Sequence, residues 1–289
     1  MGMIETALQT EQRLAQIIGD VDHIAALPEV VMRITQVIGD PRSTAADLQK
    51  IIGNDPALVS RVLKLVNSSY YARSTQIESV QRAIVLLGFE AVHNLALSAT
   101  VGELFRGPLT DDFSARDLWT HSVAVASLGR EIAKRVCRPL AEQVFMAGLM
   151  HDIGVLVEFQ VVPDKLRQVA ELAKGTDARF SALELSIIGV DHSEIGAALA
   201  AKWGFPPACR QACAYHHHPA LADAEFRQIV GIVQVADTLC CQDAIGFNLT
   251  AVNQMADESG FGGYVPLEII AFARENLPHL VSDAILMFA

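Results

Sequence analysis

Positive charge is scarce in this chain. Its 22 lysines and arginines face 33 acidic residues, for a net charge of −11, and the cations are scattered. Without a basic stripe, direct nucleic-acid binding is not expected, because phosphate neutralisation supplies most non-specific affinity. An acidic surface still admits a small anionic ligand held by a few placed cations or by a metal. No apolar run reaches the roughly 18–20 uninterrupted residues of a membrane span. The N-terminus lacks the basic flank and apolar core of a signal peptide. We therefore expect no membrane association and a cytoplasmic location. The five cysteines, Cys137, Cys209, Cys213, Cys240 and Cys241, form no CxxC pair. They read as reduced, half-buried thiols, not as a disulfide framework or a zinc ribbon. Aromatics are few, alternation of period two is absent, and no fixed-period repeat or low-complexity stretch occurs.

What remains is a chain that is 51% hydrophobic and 19% charged over 289 residues, filled with Ala, Leu, Ile and Val. That composition belongs to a well-cored protein with room for two domains or two lobes. Apolar residues recur with helical spacing throughout, so the fold class is all-α. Helices are expected at 1–22 and from Leu27-Pro28 to about Ile38. Gly39-Asp40-Pro41 stops the second, Ser43-Thr44 caps the third, and Asn54-Asp55-Pro56 opens the fourth, which breaks at Asn67. Further helices are expected at 80–87 and 91–105, then at 116–136, 141–159, 163–174, 180–188, 192–202, 207–217 and 226–243. A final helix runs from Pro266 to Asn276, and an apolar tail from Leu280 to Phe288 docks on the body. We divide the chain into an N-terminal helical lobe (1–115), a second helical lobe (116–246) and a C-terminal tail (247–289).

The centre of interest is the apolar run 144–157, which carries His151 and Asp152 side by side. A buried carboxylate and imidazole need partners, since an unpaired buried charge costs several kcal/mol or more. Candidates are His121, His192, the triplet His216-His217-His218, and Asp237. Each has a plain alternative. His121 pairs with Asp117 one turn earlier, or Asp117 is a helix-start acid; His192 caps a helix; the triplet is a cationic cluster at a helix end. Asp237 is harder to explain away, because its helix is apolar on nearly every face and an interior acid needs compensation. Two carboxylates and several histidines spread over separate helices in one core suit a divalent transition metal.

The ordered set of His, His-Asp, His, His-His and Asp resembles the HD superfamily of metal-dependent phosphohydrolases, and more specifically the HDOD family. The likeness rests on Leu27-Pro28, the stretches 51–58, 63–70 and 83–88, Trp119 to Ser122, the His151-Asp152 core and Tyr215 to Pro219. It covers roughly residues 24–240. The resemblance implies a two-lobed helical bundle with an HD-like C-terminal lobe and a role in bacterial signalling, with signalling proteins as partners. Many HDOD members are thought to have lost catalysis, whereas this chain keeps every position of the metal-binding pattern. By the same resemblance, His121, His151, Asp152 and Asp237 would ligate a metal, with His192, His216 and His217 completing a second site. One or two ions of iron, manganese, nickel or zinc are implied, and Asp117 would bridge or support. His218 falls outside the pattern.

Two functions follow. The first is a regulatory module that works through a protein partner or a small phosphorylated or nucleotide ligand. The second is a working phosphohydrolase on a phosphoester or nucleotide. Cyclic di-GMP hydrolysis is not expected: the related HD-GYP enzymes have a lysine shortly after the HD pair where this chain has Val155. Their Gly-Tyr-Pro loop is also replaced here, by Pro219-Ala-Leu-Ala222. Lys202 and Arg210 are the candidate cations for a phosphate beside the ligands, and both could equally be solvated.

Overall fold

The computed structural model describes residues 2–24, 29–40, 42–68, 76–105, 107, 114–252 and 258–288. Expectations falling on Leu27-Pro28, Pro41, Ser69-Tyr70 and Pro108 lie outside these residues. Every helix or strand element along the described residues is helical: α1 Gly2–Ile24, α2 Glu29–Gly39, α3 Ala45–Gly53, α4 Pro56–Val66, α5 Val80–Leu87, α6 Phe89–Val101, α7 Ala115–Val136, α8 Ala141–Met150, α9 Ile153–Val161, α10 Pro163–Gly175, α11 Phe180–Ile187, α12 His192–Lys202, α13 Pro207–Tyr215, α14 Arg227–Gln242, α15 Leu249–Val252 and α16 Leu267–Phe288, with short 3-10 turns between some of them.

Local chemistry explains most of the helix starts. Thr44 caps α3 in a reciprocal capping box with Asp47, and Asp55 caps α4 with Pro56 in its first turn. Ser114 and Asp117 form the capping box of α7, and Asp191 and Glu194 that of α12. Each such cap is worth about 0.5–2 kcal/mol. Asn67 closes α4 and does more: its amide donates to Leu63 O and Ile77 O at 2.8 Å each and accepts from the Ile77 amide at 2.7 Å. One side chain thereby ties the end of α4 to the segment leading into α5.

Helices α2 to α6 pack on one another, α6 forming their centre, while α13, α14 and α16 pack around α7 and α8, and α12 packs on α13 and α9. The first helix, which the sequence groups with the N-terminal lobe, lies against α9 and α12 instead. There Arg13 donates to Ile188 O at 3.1 Å and Lys202 reaches back to Ile18 O at 3.0 Å. A polar chain crosses from α2 to α8 through α6. His93 Nε2 meets Ile34 O at 3.0 Å, Asn94 donates to Glu142 O at 3.0 Å, and Arg130 on α7 donates to the Glu142 carboxylate at 2.8 Å.

Two expectations change. The helix expected over 141–159 is two helices, broken at His151-Asp152. The His151 Nδ1–H is directed at Gly148 O at 2.7 Å and takes the carbonyl that a continuing helix would use for its next turn. The final helix runs from Leu267 to Phe288, with Pro278 inside it, so the apolar tail is its second half. The stretch Arg138–Val161 has a mean hydropathy of 1.4 over its most apolar 18 residues, enough by composition for a membrane span, yet that window is 83% buried inside the body. It is a core element bent in the middle.

Candidate metal centre

Consecutive residues on a straight helix do not face the same way. The break at 151–152 removes that constraint, and His151 and Asp152 both enter one fully buried cluster. Helix α7 contributes His121, the first residue of α12 is His192, the end of α13 supplies His216 and His217, and α14 carries Asp237. All seven predicted residues are brought together. Three sets, each with its ligand atoms within 4.8 Å of one another, describe the cluster: His121, His151 and Asp237; His192, His216 and His217; and, between them, His151, Asp152 and His216.

The hydrogen bonds fix which atoms face inward. His121 Nδ1 meets Ile245 O at 3.1 Å, His151 Nδ1 meets Gly148 O, and His216 Nδ1 meets Ala212 O at 2.9 Å. A carbonyl only accepts, so each of these rings carries its proton on Nδ1 and turns Nε2 into the cluster. His192 follows the same rule with a carboxylate: its Nδ1–H donates to Glu184 at 2.7 Å. Its Nε2 then lies 3.0 Å from His217 Nε2, and His121 Nε2 lies 3.1 Å from Asp237 Oδ1. Among the described residues His151 Nε2, His216 Nε2 and Asp152 Oδ1 are buried with no hydrogen-bond partner. Buried polar atoms are rarely left so. Asp152 Oδ1 is 3.3 Å from His216 Nε2 and 3.6 Å from His192 Nε2, while Oδ2 is 3.4 Å from His151 Nε2. Inward-facing Nε2 atoms oriented by outer acceptors, with carboxylates among them, are the donor set of a transition-metal site, and the residues fit such an ion.

A family model for the HDOD domain matches residues 24–219. The chain belongs to the HDOD family. An uncharacterised protein of Treponema pallidum (strain Nichols) is 28% identical over 235 residues, 81% of this chain but 45% of that protein, so the chain spans about half the length of this curated relative. Two solved structures share the fold. One, provisionally named a signal transduction protein, is from Marinobacter aquaeolei VT8; it has a TM-score of 0.79 at 22% identity, covering 100% of this chain and 66% of that one. The other, provisionally named a phosphohydrolase, is from Shewanella amazonensis SB2B; it has a TM-score of 0.74 at 23% identity, covering 94% of this chain and 96% of that one.

Charge in this HDOD cluster is strongly coupled. Burial alone would depress His151, but Asp152 and Asp237 overcome it and raise the ring to about 9. Burial also opposes charge on His192, and the Glu184 carboxylate lifts it to about 10. Burial would raise Asp152 and Asp237, yet the facing imidazoles hold both below the usual carboxylate range. His217 goes the other way: burial, then the neighbouring His216 and His192, push it well below the ordinary histidine value. The cluster therefore demands positive charge and takes it as protons when no cation is bound.

Asp117 does not join the cluster. Its carboxylate accepts from the Ser114 amide and hydroxyl, both at 2.7 Å, so it is the helix-start acid and not a bridge. His218 is exposed. Besides Glu184 on the His192 ring, three further groups escape the sequence reading. The Thr250 hydroxyl donates to Asp152 Oδ2 at 3.0 Å, the Ile245 carbonyl orients His121, and the Cys241 thiol donates to Asp237 at 3.4 Å. Residues 244–250 form a strap over this side of the cluster. Its turn is set at Gly246, whose φ is +66° and where a Cβ would fall 2.3 Å from Asp117 O. Phe247 in the strap packs edge-on against Phe180, which in turn lies 6.1 Å from the His192 ring.

Proposed function

We propose that the chain is a regulatory module of bacterial signalling whose HD cluster holds divalent metal, and that it acts by binding a protein partner or a small phosphorylated or nucleotide ligand. The observation that carries this reading is closure: His121, His151, Asp152, His192, His216 and Asp237 are at most 1% exposed, and His217 alone of the seven is partly open. A catalytic metal keeps one coordination position for water or substrate, and ligands this closed to solvent leave a substrate little approach to it. His121, His151 and Asp237 would hold one ion, His192, His216 and His217 another, with Asp152 reaching both. A bound divalent ion supplies Lewis acidity and a cross-link between helices. The residues themselves join α7, α8, α12, α13 and α14, so occupancy would set how those helices pack and what face a partner meets.

A second reading, a phosphohydrolase of the HD superfamily, is favoured by the position of the Asp152 carboxylate between the two histidine sets. Phosphoryl chemistry also needs cations at the developing charge. Lys202 is exposed and bonded to α1, and Arg210 is exposed and lines a cavity between α6, α8 and α13. Val155 is buried where a phosphate-gripping lysine would stand in the cyclic di-GMP enzymes.

Elemental analysis of protein purified without chelator or metal-affinity chromatography, followed by assay on a generic phosphodiester, separates the readings. Metal without turnover is the expected result. About two equivalents with turnover would establish the hydrolase instead. Protein without metal that takes none up would remove the metal from the proposal.

A further inference from the structure

Asp152 stands at the N-cap of α9, where an aspartate ordinarily turns its side chain onto a backbone amide of the first helical turn. Here it makes no such capping bond. The carboxylate points into the cluster instead, and its two oxygens meet different surroundings. Oδ2 accepts from the Thr250 hydroxyl at 3.0 Å and lies 3.4 Å from His151 Nε2. Oδ1 has no hydrogen-bond partner among the described residues and lies 3.3 Å from His216 Nε2 and 3.6 Å from His192 Nε2. One oxygen is held, and the other is left facing the second histidine set.

An aspartate carboxylate turns easily about its last bond, because that torsion is broad and nearly two-fold. A donor fixed on one oxygen removes the freedom. Thr250 is placed to be that donor: it is fully buried, and its β-branched side chain is stiff at χ1. Its helix, α15, packs on α10, α11 and α14. The strap leading to it is pinned where the Phe247 amide donates to Asp117 O at 3.0 Å and where the Ile245 carbonyl meets the His121 ring.

We propose that Thr250 is a positioning residue of the metal centre: its hydroxyl locks the Asp152 carboxylate so that Oδ2 serves the His151 side and Oδ1 the side of His192 and His216. The inference rests on the metal reading of the cluster. Ligating carboxylates are themselves oriented by outer hydrogen bonds, and losing such a partner lowers metal affinity by about 10–100-fold. Asp152 reaches both histidine sets, so one hydroxyl, 98 residues away in the chain, bears on the whole centre.

The test is titration of the chelator-treated full chain with Co²⁺, read by ligand-field absorption and by calorimetry beside a thermal melt, for the wild type, Thr250→Val and Thr250→Ser. Valine keeps the shape of threonine and removes the hydroxyl, so Oδ2 loses its donor. Every binding step that the wild type shows should weaken by about 10–100-fold in Thr250→Val, with altered absorption bands. Thr250→Ser keeps the hydroxyl and should stay within about threefold of the wild type, short of that range, with the same bands. A Thr250→Val protein that melts lower yet binds Co²⁺ with wild-type affinity and bands would overturn the inference, because the hydroxyl would then support only the fold. So would a Thr250→Ser protein as weak as Thr250→Val. If Thr250→Val does not fold, the contrast between Thr250→Ala and Thr250→Ser decides on the same terms. A wild type that binds no Co²⁺ refutes the metal reading itself and takes the inference with it, which is a different failure.

Discussion

Gly154, two residues beyond Asp152, is where α9 touches the start of α12. A Cβ built there would lie 1.9 Å from His192 O, 2.7 Å from His192 C and 2.9 Å from its Cα, all backbone atoms that no rotamer change can move. Real Cβ atoms keep at least 3.0 Å from such neighbours, so Gly154→Ala must drive the helices apart by at least 1.1 Å. Forced overpacking of this kind costs about 1–3 kcal/mol. At about 2–4 °C per kcal/mol for a chain of this size class, the midpoint of melting should fall by about 2–12 °C. The effect on the cluster should be larger in proportion. His192 Nε2 sits 3.0 Å from His217 Nε2 and 3.6 Å from Asp152, and metal coordination tolerates errors of about 0.2 Å. Gly154→Ala should therefore lose at least tenfold in affinity at the His192 side, measured by metal titration beside a thermal melt. Gly196→Ala is the internal control: its Cβ would lie 3.3 Å from Gly154 N and 3.4 Å from Cys213 Cβ, a contact that needs only a few tenths of an ångström. Against that stands up to about 1 kcal/mol of helix propensity gained over glycine, so this variant should be near neutral. Wild-type melting and wild-type metal content in Gly154→Ala would refute the reasoning.

The metal-free protein should lose stability as pH rises from neutrality. His151 and His192 are raised in the fold to about 9 and about 10 from an unfolded value of about 6.5, so their contribution is full below that value and disappears as pH climbs through the folded ones. Two retained protons give a slope of up to about 3 kcal/mol per pH unit above pH 7.5; His217, held neutral in the fold, matters only below about 6.5. Urea melts between pH 7.5 and 8.5 check this, and a flat or rising profile without metal would contradict it. With metal the slope should flatten, because the ion displaces those protons. Separately, Asn67→Ala removes three hydrogen bonds, two of them joining α4 to residue 77, and leaves the Ile77 groups to find water. A loss of about 2–3 kcal/mol in denaturant unfolding is expected, with metal uptake unchanged.

How far the sequence could be read depended on whether a feature was local. Thr44 and Asp55 announce their helices because a cap acts within three residues, whereas the cap of α12 is Asp191 and not His192. The break at His151-Asp152 stayed hidden because the residues on both sides are uniformly apolar. Nothing in their periodicity records that an imidazole takes the Gly148 carbonyl. Asp237 stood out as an acid in an apolar helix, and the same signal was present at Glu158 and Glu184 without being drawn upon. Thr250 gave no sign at all, since a lone threonine acquires its role only when the strap folds back on Asp152. Asp117 stood between two readings, a partner for His121 and a helix-start acid, and Ser114 three residues away decides for the second.

The family match ends at residue 219, yet Asp237, Ile245 and Thr250 all lie past that point, and α1 lies almost wholly before its start at residue 24. The segment by which the chain is recognised is thus shorter than the segment that must fold as one. A fragment cut to 24–219 would keep six of the seven candidate ligands while stripping away Asp237, the acceptor that orients His121 and the hydroxyl on Asp152. It would also expose the faces of α9 and α12 that the first helix covers. Such a piece would retain the family's motifs and lose the chemistry they frame.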